Sequence, residues 1–245
     1  MDKIKNPVVL YSSKNTKGRR DATGAFIPEA KSFARLHGVP GRNCVAIPCV
    51  GVPKWTRRAH TLRAIRDAAD IAVEPIDLVA FFGHGWHRGI QFGFKKKQIP
   101  DLVKALAPIA TRDLRVVLYA CLTAENSVKD WITNPRKLGP ATEGGFADRL
   151  RDGLAGAGLT ECRVDAHKTA GHTTFNPYLV RFLGVRASEP GGFWLVQPRS
   201  ELWDEWRGGL HGDLRFRFPL MSQAEIVAEL NGGTGNVCPT CGRPV

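Results

Sequence analysis

Two residues able to do hydrolytic chemistry stand at equivalent places in this chain. His84 comes one glycine after the apolar run Asp77-Leu78-Val79-Ala80-Phe81-Phe82, and Cys121 directly follows Leu114-Arg115-Val116-Val117-Leu118-Tyr119-Ala120. A cysteine attacks as its thiolate, and an adjacent imidazole can accept the proton or stabilise the charge. Both preceding runs read as buried strands, and in open α/β sheets ligands bind beyond the carboxyl ends of strands. Paired strands lie about 4.8 Å apart. If these two are parallel neighbours linked by a helical crossover, imidazole and thiol emerge on one rim. Gly83 and Gly85 let the backbone turn beside His84 without a Cβ clash. The N–H groups of Gly85 and Cys121 are then the candidate donors of an oxyanion hole.

The positioning elements alternate along the chain. Val8 to Ser12, after Pro7, reads as a strand, and Pro28 to His37 as a helix stopped at Gly38. Cys44 to Val52 is a second apolar run. Leu62, Ile65 and Ala69 recur at helical spacing within Trp55–Ile71. A helix starts near Pro100 with Leu102, Leu106 and Ile109 on one face. Another carries Phe146, Leu150 and Leu154 into the glycine-rich stretch from Gly153 to Gly158, and Glu161 to Thr169 is a fifth strand. Strand runs with little internal polar alternation, separated by helices, predict a three-layer α/β/α fold with a mostly parallel central sheet. Leu122 to Gly145, punctuated by Pro135 and Pro140, reads as an exposed loop.

A hydrophobic strand followed by His-Gly, then a hydrophobic strand followed by Ala-Cys, resembles the pattern of the caspase-like superfamily. That group includes caspases, metacaspases, gingipains, legumains and separases. The motifs here are Val79-Ala80-Phe81-Phe82-Gly83-His84-Gly85 and Val116-Val117-Leu118-Tyr119-Ala120-Cys121, with histidine and cysteine 37 residues apart. The resemblance covers roughly residues 7 to 185. It implies a His84/Cys121 dyad and an oxyanion donor at Gly85. Two departures stand out. Caspases carry Gln-Ala-Cys-Arg-Gly where this chain has Tyr119-Ala120-Cys121-Leu122-Thr123. Relatives that prefer basic substrates carry an acid two residues before the nucleophile, where this chain has Tyr119. Substrate preference therefore does not transfer.

Loops on the same rim should line a substrate pocket, and Asp165, Ser12 and His167 are the substrate-binding candidates. Asp165 could pair with a basic side chain, although a structural carboxylate is the more ordinary role. The loop from Leu122 to Gly145 occupies the place where caspases are cut on activation, so gating or cleavage in cis is expected there. Near the C-terminus, Cys238-Pro239-Thr240-Cys241-Gly242 has the turn chemistry of a zinc knuckle. Tetrahedral zinc needs four ligands, so Cys44, Cys49, Cys162, a histidine or a second subunit would have to complete a structural site with Cys238 and Cys241. The dyad chemistry itself requires no cofactor.

The chain has 245 residues, 43% of them hydrophobic, enough for one sizeable core. Residues 1–200 are expected to form the catalytic domain and 201–245 a small C-terminal appendage ending in the CxxC tail. The net charge of +12 suits a nucleic acid or an acidic partner, although a solvated basic surface gives the same composition. No apolar run approaches the roughly 18 residues of a membrane-spanning helix, and the N-terminal apolar run is too short for a signal peptide. Six cysteines in a chain of this length read as reduced thiols in a cytoplasm. The expected function is a cysteine endopeptidase acting on a protein or peptide through an acyl-enzyme. The alternatives are a catalytically silent caspase-like binding or regulatory module, with nucleic acid as a candidate partner, and a metal-dependent hydrolase built on His84, His87, His167 and His172.

Overall fold

A computed structural model describes residues 4–13, 23–72, 74–126, 142–168, 179–184 and 193–196. The elements run β1 (Pro7–Ser12), α1 (Thr23–Leu36), β2 (Cys44–Ile47), α2 (Lys54–Ile71), β3 (Ile76–Phe82), three two-residue strands β4 (Gly85–Trp86), β5 (Gly89–Ile90) and β6 (Phe94–Lys95), then α3 (Ile99–Leu106), β7 (Ala110–Tyr119), α4 (Phe146–Gly156), β8 (Arg163–His167), β9 (Leu179–Leu183) and β10 (Phe193–Val196). The fold is mixed α/β. Its central sheet has seven strands in the order β10-β9-β8-β7-β3-β1-β2. The pairings among β2, β1, β3, β7 and β8 are parallel, whereas β9 and β10 add on antiparallel.

Alternate strand residues join different apolar clusters. Val8, Leu10, Val79, Phe81, Val116 and Leu118 pack with residues of α2, α3 and α4. Val9, Leu78, Ala80, Phe82, Val117 and Tyr119 pack with Phe26, Ala30, Phe33 and Ala34 of α1. The segregation follows from the period of two along a strand. The strand order supplies the rest. The chain steps outward from β1 to β2 through α1, then reverses direction through β3, β7 and β8, and a crossover of fixed hand changes face when direction reverses. The reversal lies between β1 and β3, where open sheets place their binding crevice.

The helices depart from expectation in instructive ways. α1 begins at Thr23, so Pro28 lies inside the helix rather than at its start. The buried stripe of α2 is Thr61, Ala64, Ile65 and Ala68, with Leu62 and Ala69 only partly buried. Small side chains at 61, 64 and 68 flank the fully buried Ile65 on the inward face. The run beginning at Cys44 is a strand only to Ile47. Pro100 occupies the first turn of α3, where its missing N–H costs nothing. No described helix is long and apolar enough to cross a membrane. The appendage 201–245, with Cys238 and Cys241, lies outside the described residues, as do 127–141 of the loop after Cys121 and residues 169–178, which include His172.

Candidate active site

The register of β3 against β7 decides where the two reactive residues go. The last parallel pair is Phe82 with Tyr119. The N–H of Gly83 then donates to the Tyr119 carbonyl at 3.2 Å, extending the ladder past the strand end. His84 and Cys121 each lie two residues beyond that last pair, on the same carboxyl edge of adjacent strands. Below them the Phe82 and Tyr119 rings stack at 4.1 Å, a floor on the α1 side of the sheet. Tyr119 is buried, and its phenol is raised well above its ordinary pKa by that burial and by the nearby carboxylates of Glu29 and Asp165.

His84 is held by its backbone and its ring. Its N–H donates to Gln91 Oε1 at 3.0 Å, and its carbonyl accepts from the Gln91 N–H at 2.8 Å. Its imidazole meets the Phe26 ring of α1 edge-on at 5.1 Å. Gln91 and Phe26 have no signature that points to them. Gln91 is recruited because the small sheet β4-β5-β6 folds the chain back on itself.

Neither Gly83 nor Gly85 has a positive φ, so the sharp-turn reason expected for these glycines is not the operative one. Close approach is. A Cβ on Gly85 would lie 2.7 Å from Ala120 Cβ, 2.7 Å from Thr123 Cγ2 and 2.9 Å from the Cys121 carbonyl oxygen. The segment following His84 therefore packs directly on the turn that carries Cys121.

That turn is tightly specified. Leu122 has φ 58°, left-handed backbone in a branched residue, which costs on the order of 1–3 kcal/mol and persists where surrounding contacts over-determine it. Those contacts are present. Thr123 Oγ1 donates to the Ala120 carbonyl at 2.9 Å, the Glu125 N–H to Leu122 O at 3.1 Å, the Ala124 N–H to His167 O at 3.0 Å, and the Ala147 N–H to Thr123 O at 3.0 Å. Lys168 Nζ lies 3.6 Å from Glu125 Oε1, with both side chains almost wholly buried. Residues Leu122 to Glu125 are thus buried, and the start of the segment expected to be an exposed loop is instead a structural turn.

Cys121 is half-buried and not disulfide-bonded. Cys49 and Cys162 contrast with it: both are buried, and burial pushes each thiol up to about 11. They are core residues by environment.

The three substrate-binding candidates lie deeper than expected. Asp165 is fully buried. Its carboxylate accepts two hydrogen bonds from Arg181 on the adjacent strand, at 2.8 Å from Nε and 3.1 Å from Nη2. His167 is buried on the same face, its ring 6.1 Å from that of Tyr119, and desolvation lowers its pKa to about 3. Ser12 is sealed at the end of β1 beside the Cys49 thiol. Among the described residues, no group of three or more His, Cys, Asp or Glu side chains is arranged to hold a metal ion. A separate groove of about 700 Å³, lined by Tyr11, Lys31, Ala34, Arg35, Val39 and Cys44, opens beside α1 and includes none of the expected catalytic or substrate-binding residues.

The class of arrangement is a parallel-sheet rim that carries a histidine and a cysteine on neighbouring strands. No protein-family model, no curated protein and no solved structure matches this chain.

Proposed function

We propose that this chain is a cysteine endopeptidase with a three-layer, caspase-like catalytic domain, in which His84 and Cys121 form the dyad. The observation that carries the reading is the register: both residues follow the Phe82–Tyr119 pair by the same two positions on adjacent parallel strands. Support also comes from the packing of Gly85 on the Cys121 turn and from the partial exposure of Cys121, which it shares with Cys44 but not with the buried Cys49 and Cys162.

In this mechanism His84 takes the thiol proton and the Cys121 sulfur attacks the peptide carbonyl carbon. The oxyanion is stabilised by the backbone N–H groups of Gly85 and Cys121. Collapse expels the amine, which takes a proton from the imidazolium, and water activated by His84 then hydrolyses the thioester. All proton movements belong to one imidazole, and no metal or organic cofactor takes part.

A screen of fluorogenic peptides, varied at the residue before the scissile bond, tests the proposal. At least one should be cleaved by the wild-type chain. Cys121→Ala should abolish turnover, and His84→Ala should reduce kcat by about 10²–10⁴-fold, the usual contribution of a general base. Turnover that persists in Cys121→Ala and is lost to chelators would instead favour metal-dependent hydrolysis.

A further inference from the structure

Cationic side chains from three elements converge beside the Cys121 turn. Arg88 is exposed at the tip of the β4–β5 hairpin, four residues after His84. Lys95, Lys96 and Lys97 lie where β6 passes into the turn preceding α3, and Arg149 is exposed on the first turns of α4. Lys96 is hydrogen-bonded to the Arg88 backbone, and both Arg88 and Arg149 lie near enough to act on its charge. The Lys96 N–H donates to the Arg88 carbonyl at 2.9 Å, Lys96 Nζ donates to Asn126 Oδ1 at 2.7 Å, and Arg149 Nε donates to Gly144 O at 3.0 Å. Asn126 and Gly144 flank residues 127–141 in the sequence, the first at the end of the described turn and the second just before the start of α4.

Two of the nearby carboxylates are already committed, while Glu143, beside Gly144, is exposed and close enough to act on Asp148. Asp148 is buried and accepts from the Gly144 N–H at 2.7 Å while pairing with Arg151. Asp101 pairs with Arg58 at 3.7 Å. The mutual repulsion is felt at Lys96, whose pKa is lowered by partial burial and then by Arg149 and Arg88, with Asp148 opposing. Five like charges gathered at a rim, with Asp148 buried and Asp101 held by Arg58, outnumber the exposed carboxylate of Glu143 and leave a field that an anionic partner would relieve.

We propose that Arg88, Lys95, Lys96, Lys97 and Arg149 form a cationic lip that binds an acidic stretch of the polypeptide substrate as it crosses the rim bearing His84 and Cys121. This rests on the dyad reading for its location. A polypeptide is favoured over a nucleic acid because the lip borders the rim where a peptide bond would be attacked.

The test uses the full-length Cys121→Ala chain and two fluorescein-labelled peptides, identical except that one carries a run of glutamates where the other carries glutamines. By fluorescence anisotropy, the glutamate peptide should bind about tenfold more tightly at low ionic strength, since exposed ion pairs are individually weak and salt-screened. The advantage should shrink at physiological salt. It should vanish in Arg88→Gln/Lys96→Gln/Arg149→Gln and in Arg88→Gln/Lys97→Gln, the latter leaving the Lys96–Asn126 bond intact. Equal affinity for both peptides, or an advantage untouched by both variants, would overturn the proposal. So would a single-stranded oligonucleotide that binds the same residues more tightly than the glutamate peptide. Cleavage by the wild-type chain is scored separately. Binding without cleavage removes the dyad reading and leaves the lip, whereas cleavage without charge preference does the reverse.

Discussion

At Gly85 a hydrogen atom is the functional group. A methyl there would overlap Ala120 Cβ and Thr123 Cγ2 at 2.7 Å, and neither neighbour is the end of a flexible side chain. Gly85→Ala is therefore expected to destabilise the fold by about 1–3 kcal/mol, the usual cost of overpacking, and to push the Cys121 turn away from His84. Urea unfolding measures the first effect. The rate of iodoacetamide alkylation at Cys121, followed against pH, measures the second. An unchanged urea midpoint would mean that the two segments are not in contact. The types His84 and Cys121 were legible from their strand-end positions, but the partners of His84 were not. Gln91 and Phe26 act through proximity, and nothing in their own identity marks them.

Among the elements, the Cys121 turn and the end of β8 behave as one unit, joined by the Ala124–His167 hydrogen bond and the Glu125–Lys168 pair. Breaking a buried pair by removing one partner strands the other charge and costs about 3–5 kcal/mol, whereas replacing both with apolar residues is often close to neutral. Lys168→Met should therefore unfold at markedly lower urea, with much of the loss recovered in Glu125→Leu/Lys168→Met. If the pair positions the turn, the double variant will be stable yet alkylate at Cys121 with an altered pH profile. An additive double variant would show that the two charges do not interact. The Asp165–Arg181 pair makes a related point about β9. An arginine in the middle of Leu179–Leu183 disguises a buried strand, and only the register that sets Asp165 opposite Arg181 makes the charge tolerable there.

Across the whole molecule, acid should weaken the fold through its buried histidines. His167 is wholly desolvated, with its pKa lowered to about 3, and His37, partly buried against Phe33 and near Arg115, is lowered to about 4. The unfolded chain takes up protons at about pH 6.5 while the folded chain does not. Stability is thus intact above that value and falls as pH drops toward the folded pKa values. For His167 the slope is about 1.4 kcal/mol per pH unit below 6.5. Urea midpoints measured from pH 7 to pH 4.5 should decline, and His167→Gln should flatten the curve. A wild-type curve that is flat over this range would contradict the burial of His167.

The sequence by itself determined the alternation of elements, because continuous apolar runs such as Leu78–Phe82 and Val116–Ala120 can be satisfied only inside a sheet covered on both faces. It also determined that a histidine and a cysteine close two of those runs. Tertiary structure decided everything that depends on which strands are neighbours. The order β7-β3-β1 sets the His84 and Cys121 strand ends side by side, the antiparallel β9 supplies Arg181 to Asp165, and packing around the ends of β1 and β8 buries Ser12 and His167. The physical reason is that periodicity along a chain encodes which face of an element is buried, whereas partner choice is settled by close packing between segments far apart in sequence.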